Sequence, residues 1–303
     1  MTGALPFEDI DLLSWINEIV AAIVDFLQID LTTNDDALNA THLGLTALKE
    51  LFSMEGLRVA QADRLFERAF EKDPKAIYSA WRAQLRGIQW VERHDTDASV
   101  LKEQGLELAQ KALAQEPGNS SVLATVSNAR QILDGDVFAC ETLSSLAVKS
   151  NPANPLAWWS RALSHSYCGR SKEALVASDR GHKLASGSPY LFWWDMQVAV
   201  SACAARQMGR AIIASERAAV FAPTFRPPMR VLTGLHAAHG SQDRAVHWGK
   251  KLATLESDFS PDRLIGDPDY PSSLLDRYSL VDQSALRPVT ERVFSDKTKT
   301  NET

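Results

Sequence analysis

The chain has 303 residues, 45% hydrophobic and 23% charged, with a formal net charge of −6. That is the makeup of a soluble globular protein, and the acidic balance excludes a chain-wide basic surface for direct nucleic-acid binding. Cys140, Cys168 and Cys203 are widely spaced and form no CxxC pair, which points to free, mostly buried thiols and a cytoplasmic protein.

The N-terminal region carries no Lys or Arg before Lys49, so it is neither a secretory n-region nor a basic targeting peptide. Leu12 to Leu27 is strongly apolar, but Glu18 and Asp25 interrupt it, and the uninterrupted runs are too short to insert into a membrane. Asp11, Glu18 and Asp25 recur at intervals of 7, the mark of one polar helix face. This predicts an amphipathic helix. It either caps the downstream helices or presents a homodimer face.

Downstream, one helix ending recurs. The stops fall at Pro74, Pro117, Pro152, Ser186, Pro223 and Ser257, at intervals of 43, 35, 34, 37 and 34 residues. Small residues precede five of these stops: Ala62 and Ala69; Gly105, Ala109 and Ala112; Ala174, Ser178 and Gly181; Ala211, Ser215 and Ala218; Ala245 and Gly249. Two antiparallel helices that cross closely need such residues. Gly169 and Gly240 stand where a first helix ends, a place for left-handed backbone, and each Pro stops the helix before it. The longest interval contains Glu92 to Asp97, a polar stretch that reads as an extended connection. Beyond Ser257, Pro261, Pro268 and Pro271 break helices, and Ser272 to Tyr278 is expected to form one short closing turn.

A hairpin repeat near 34 residues resembles the tetratricopeptide family. The resemblance covers about residues 43–257 and implies an all-α fold, tetratricopeptide-like helical hairpin repeats forming a right-handed superhelix. Asp195 departs from the family pattern, which prefers a large apolar residue there, and Ser186 and Ser257 replace the terminal Pro. The expected organisation is a capping region over 1–40, about six repeats over 41–257, a C-terminal cap over 258–294 and a disordered tail over 295–303. The run Leu5-Pro6-Phe7-Glu8, the apolar helix, the repeats, Phe259 and Asp267-Pro268-Asp269-Tyr270-Pro271 resemble the C-terminal half of certain proteobacterial signalling proteins. In those, the repeats follow an adenylyl cyclase domain or a winged-helix DNA-binding domain. This sequence has neither output domain, so the resemblance implies a regulatory role in transcription or signalling and no more. Met1 is compatible with a natural start, and a fragment of a larger regulator is the other reading.

Chemical motifs are absent. There is no GxxxxGK[ST], GxSxG or HExxH, so neither catalytic residues nor a cofactor is expected. His236, His239 and His247 are read as surface histidines beside a turn, since nothing completes a metal set. His165 and Cys168 are read as packing residues. What remains is binding. The first helix of each repeat lines the concave wall, and the alignment places Trp159, Leu163, Trp193, Met196 and Val200 there as a partner site. The expected ligand is a protein or peptide partner, such as an amphipathic helix. The alternative is a small apolar ligand in a Trp-lined cavity, and a third reading has these rings only thickening the core. Arg82 and Arg86 are the weak candidates for clamping a carboxylate.

Overall fold

The computed structural model describes residues 36–94, 97–271 and 273–299. The predicted amphipathic helix from Leu12 to Leu27 lies outside them. The described residues form fourteen α-helices and one 3-10 turn, with no strand among them.

The repeats appear as six antiparallel hairpins. They are α1 (Asp36–Leu51) with α2 (Gly56–Lys72), α3 (Ala76–Val91) with α4 (Ala98–Gln115), α5 (Ser120–Leu133) with α6 (Val137–Ser150), α7 (Pro155–Tyr167) with α8 (Ser171–Leu184), α9 (Leu191–Ala204) with α10 (Met208–Phe221), and α11 (Arg226–Ala238) with α12 (Gln242–Ala253). This is the tetratricopeptide-like fold; five of the second helices stop two residues before the Pro or Ser that marks the repeat, and the sixth stops at Ala253, four before Ser257.

Local chemistry sets the boundaries. Asn119, Asp136 and Asn154 cap α5, α6 and α7 through their side-chain oxygens, each satisfying backbone N–H groups that a helix start leaves unpaired. The small residues at the crossings are sealed: Ala62, Ala69, Ala112, Ala174, Ala211, Ala218 and Ala245 are all fully buried. A Cβ added to Gly105 would sit 2.4 Å from Leu133 Cδ1 and 3.2 Å from Arg86 Cβ, so a larger residue there would force the Leu133 side chain to move.

The stack closes on itself. Phe52, in the α1–α2 turn, packs against Tyr190, Phe192 and Trp193 at the start of α9. Thr224 Oγ1 donates to the Ser53 carbonyl at 3.0 Å. The Glu92 carboxyl accepts from the Arg226 backbone N–H, which opens α11, at 3.2 Å. Glu92 is 1% exposed; the polar stretch read as an extended connection starts with a buried seam residue.

After Phe259 comes the 3-10 turn Pro261–Leu264, then α13 (Ser273–Arg277) and α14 (Gln283–Lys299). The closing turn expected over 272–278 is α13. The helix α14 packs on α11 and α12, with Leu286 and Val289 fully buried. Its last turn covers Ser295 to Lys299, where composition alone points to a disordered tail; the apolar period of Leu286, Val289 and Val293 carries the helix onward. Residues 300–303 lie outside the described ones.

Candidate functional site

Side chains from the first helices meet around one cavity of about 330 Å³. Trp159, Leu163, Trp193, Met196 and Val200 all line it, and α13 roofs it with Leu274, Leu275 and Arg277. Periodicity explains how they converge. Trp159 and Leu163 are one turn apart on α7, and Trp193, Met196 and Val200 share a face of α9. The Trp159 and Trp193 rings stack at 5.2 Å with an interplanar angle of 10°, and Trp159 Nε1 donates to the Trp193 carbonyl at 3.0 Å.

These residues face an interior. Trp159 is 5% exposed, Trp193 6% and Met196 8%, because the seam at Phe52 and the roof at α13 cover the concave wall. The adjacent rings Trp158 and Trp159 occupy different environments, the first half-buried and the second buried. Trp158 turns away onto α8, so close that a Cβ added to Gly181 would lie 3.2 Å from Trp158 Cβ. Its Nε1 donates to the Pro152 carbonyl at 2.7 Å.

The roof is tied down by main-chain acceptors. Arg277 donates to the Tyr167 carbonyl at 2.8 Å, and the Tyr278 hydroxyl donates to the Ser166 carbonyl. Arg206 donates to the Tyr278 carbonyl at 2.8 Å.

The sequence reading did not find the polar part of the wall. Arg230 is 2% exposed and lines the cavity with Glu92, Gln131 and Gln197. Its guanidinium pairs with Glu256, which is also buried, and its Nε donates to the Tyr270 hydroxyl at 3.0 Å. That hydroxyl donates to the other Glu256 oxygen at 2.5 Å. Burial pushes the Glu92 carboxyl up to about 8, against the opposing pull of Arg230 and Arg226. Arg230 Nη1, Glu92 Oε1, Gln131 Oε1 and Gln197 Oε1 are buried without a hydrogen-bond partner. Nothing in the helical period marks these positions, because a charged residue on a buried face looks like an error until its partner is known.

The other candidates are structural. Arg82 and Arg86 both bind Asp63, at 2.8 Å each. Burial raises the Asp63 carboxyl, but the two guanidiniums outweigh it and hold it below the usual range. Neither arginine lines the cavity. His165 is pushed down to about 4, by burial first and then by Arg161 and Arg170, and Cys168 Sγ lies 3.9 Å from Glu141. His236 is buried, 3.8 Å from Glu216, and is not the surface residue its place beside a turn suggests. Asp195, 2% exposed, accepts from His182 at 3.0 Å and Arg217 at 2.6 Å. Its departure from the apolar pattern is therefore a buried tie between α8 and α10.

No protein-family description matches the chain, and no curated protein matches it. Among solved structures, the crystal structure of yeast Tom70 aligns with 95% of this chain at 17% identity and a TM-score of 0.40. The chain spans 63% of the length of that protein.

Proposed function

We propose that this chain is a non-enzymatic, ligand-responsive interaction module. A small apolar molecule occupies the interior cavity, and occupancy changes how the scaffold meets a protein partner. Regulation of transcription or signalling in a bacterial cytoplasm is the role this reading takes from the sequence resemblance.

The observation that carries it is the size and lining of the cavity. A space of about 330 Å³ lined by Trp159, Trp193, Met196 and Leu163 is within the range of pockets that hold small molecules. It suits a compact molecule held by aromatic walls.

The test is titration of the full chain with methyl octanoate, an uncharged apolar probe. Tryptophan fluorescence should change saturably, and the melting temperature should rise with probe concentration. An unchanged fluorescence and an unchanged melting temperature would sink the cavity reading.

A protein partner is favoured by a separate observation. Among the described residues, the large exposed apolar side chains all lie on second helices: Leu57, Val100, Phe138, Leu146, Val176, Ile213, Val220 and Phe221. In this reading the partner contacts the outer face. Phe138→Ser and Phe221→Ser should lower co-purification of a partner while leaving the melting temperature unchanged.

A further inference from the structure

The lining of this cavity changes character from its depth to its opening. Trp159, Leu163, Trp193 and Met196 form the deep part, none more than 8% exposed. Among the described residues that line it, only Gly135 and Arg277 are exposed, and they mark where the space meets solvent. An apolar interior with a cation at its edge suits an amphiphile that enters tail first. Burial of the tail drives entry, and the head stays beside water.

The charges on the lining single out one residue. Its acidic and basic members are Glu92, Asp134, Arg230 and Arg277. Asp134 pairs with Arg130 at 3.0 Å, and Arg230 pairs with Glu256. Burial keeps the Glu92 carboxyl protonated up to about 8, so at pH 7 it sets no negative charge against an anion. Arg277 donates to the Tyr167 carbonyl at 2.8 Å, and its guanidinium carbon lies 5.4 Å from the centre of the Tyr167 ring. Both contacts are with neutral groups, which leaves its charge unmatched by a carboxylate among the described residues. A guanidinium carries five N–H donors in a planar fork. The contacts with Tyr167 fix its place, and the remaining donors match the two oxygens of a carboxylate.

We propose that the cavity binds an apolar carboxylic acid as its anion, with the tail against Trp159 and Trp193 and the carboxylate on Arg277 at the opening. The proposal rests on the cavity reading above and specifies the head group of its ligand. One unmatched cation suits a monoanion. A cationic head would meet Arg277 as a like charge, and an uncharged ester would gain the apolar contacts alone.

The experiment compares octanoate, methyl octanoate and octylammonium on the full chain, each followed by tryptophan fluorescence and calorimetry at pH 7. Octanoate should bind about fivefold more tightly than methyl octanoate, the upper value for an ion pair in contact with water, and octylammonium should bind more weakly than either. Arg277→Gln keeps a donor for the Tyr167 carbonyl and removes the charge. It should abolish the preference for octanoate and leave the affinity for the ester unchanged. Arg206→Gln removes a cation that ties down the roof through the Tyr278 carbonyl without lining the cavity, and should keep the preference. Melting curves establish that each variant is folded, and the comparison on the unaltered chain stands without them. If methyl octanoate or octylammonium binds as tightly as octanoate, the carboxylate assignment is wrong and the cavity reading survives. A preference that persists in Arg277→Gln, or that Arg206→Gln also abolishes, overturns the role of Arg277. If octanoate and methyl octanoate both fail to bind, the cavity reading itself falls.

Discussion

The ring of Phe52, in the first hairpin, stacks on Tyr190, at the start of the fifth, with centroids 4.5 Å apart and planes 19° apart. The same ring meets Trp193 edge-on at 5.5 Å. A stacked-repeat protein normally has contacts only between neighbours, so this is one of the contacts that turn an open stack into a closed one, with Thr224 on Ser53 and Arg226 on Glu92. Phe52→Ala should destabilise the fold by about 3–5 kcal/mol, the usual loss for a buried Phe. Denaturant unfolding measures it. Phe138→Ala, at an exposed site, should stay within about 0.5 kcal/mol of wild type. Equal midpoints for the two variants would mean the seam contributes nothing.

Glu92 makes stability depend on pH. Its carboxyl is raised from 4.5 to about 8, with burial the largest cause, Arg230 and Arg226 opposing it and Glu256 adding to it. The protonated form is the one the folded state favours. Its stabilising contribution is therefore complete below the unfolded value and is lost as pH rises through about 8. Over that window the loss is on the order of several kcal/mol. Glu92→Gln cannot ionise and should flatten this part of the profile. A wild-type stability that does not fall between pH 5 and pH 9 relative to the variant would show that Glu92 is ionised in the fold.

The hairpins were legible in the sequence because their determinants are local. Ala174, Ser178 and Gly181 announce a close crossing, and Pro74, Pro117, Pro152 and Pro223 announce the stops. The five residues assigned to the concave wall do meet around one space, since a helix period fixes which side chains share a face. The closure was not legible. Phe52 and Tyr190 are far apart in sequence, and no local pattern links them. Glu92 read as a loop residue for the same reason, because its partner Arg226 is 134 residues away. Asp195 read as a flaw because the hydrogen-bonding partners that justify it, His182 and Arg217, stand on helices of two different repeats.

Among the described residues, every turn from a first to a second helix contains one residue with positive φ: Met54, Arg93, Gly135, Gly169, Arg206 and Gly240. Glycine fills only three of the six places. The added Cβ of Gly169 or Gly240 would meet no atom within 4 Å, so Ala there changes backbone energy alone. Gly169→Ala and Gly240→Ala should each cost about 1–2 kcal/mol. Thermal unfolding of the single and double variants checks this, and the two effects should add, because the sites belong to separate turns. A gain in stability would show that these turns relax to another conformation.

Trp193 separates packing from binding when it is changed in two steps. It stacks on Trp159 and also meets Phe52 and Phe225, with ring centroids 5.5 and 5.8 Å away. Trp193→Ala removes all of these contacts and should cost about 3–5 kcal/mol. Trp193→Phe keeps an aromatic face and a smaller volume, and should remain folded with a larger cavity. The Trp159 Nε1 hydrogen bond goes to the Trp193 backbone carbonyl, so neither change removes its acceptor. Trp248, on α12, does not line the cavity. Trp248→Ala should lower stability without altering probe binding. Titration with methyl octanoate should therefore show weaker binding for Trp193→Phe and wild-type affinity for a folded Trp248→Ala. If Trp193→Phe binds the probe as wild type does, the ring is a core element and ligand contact lies with the other walls.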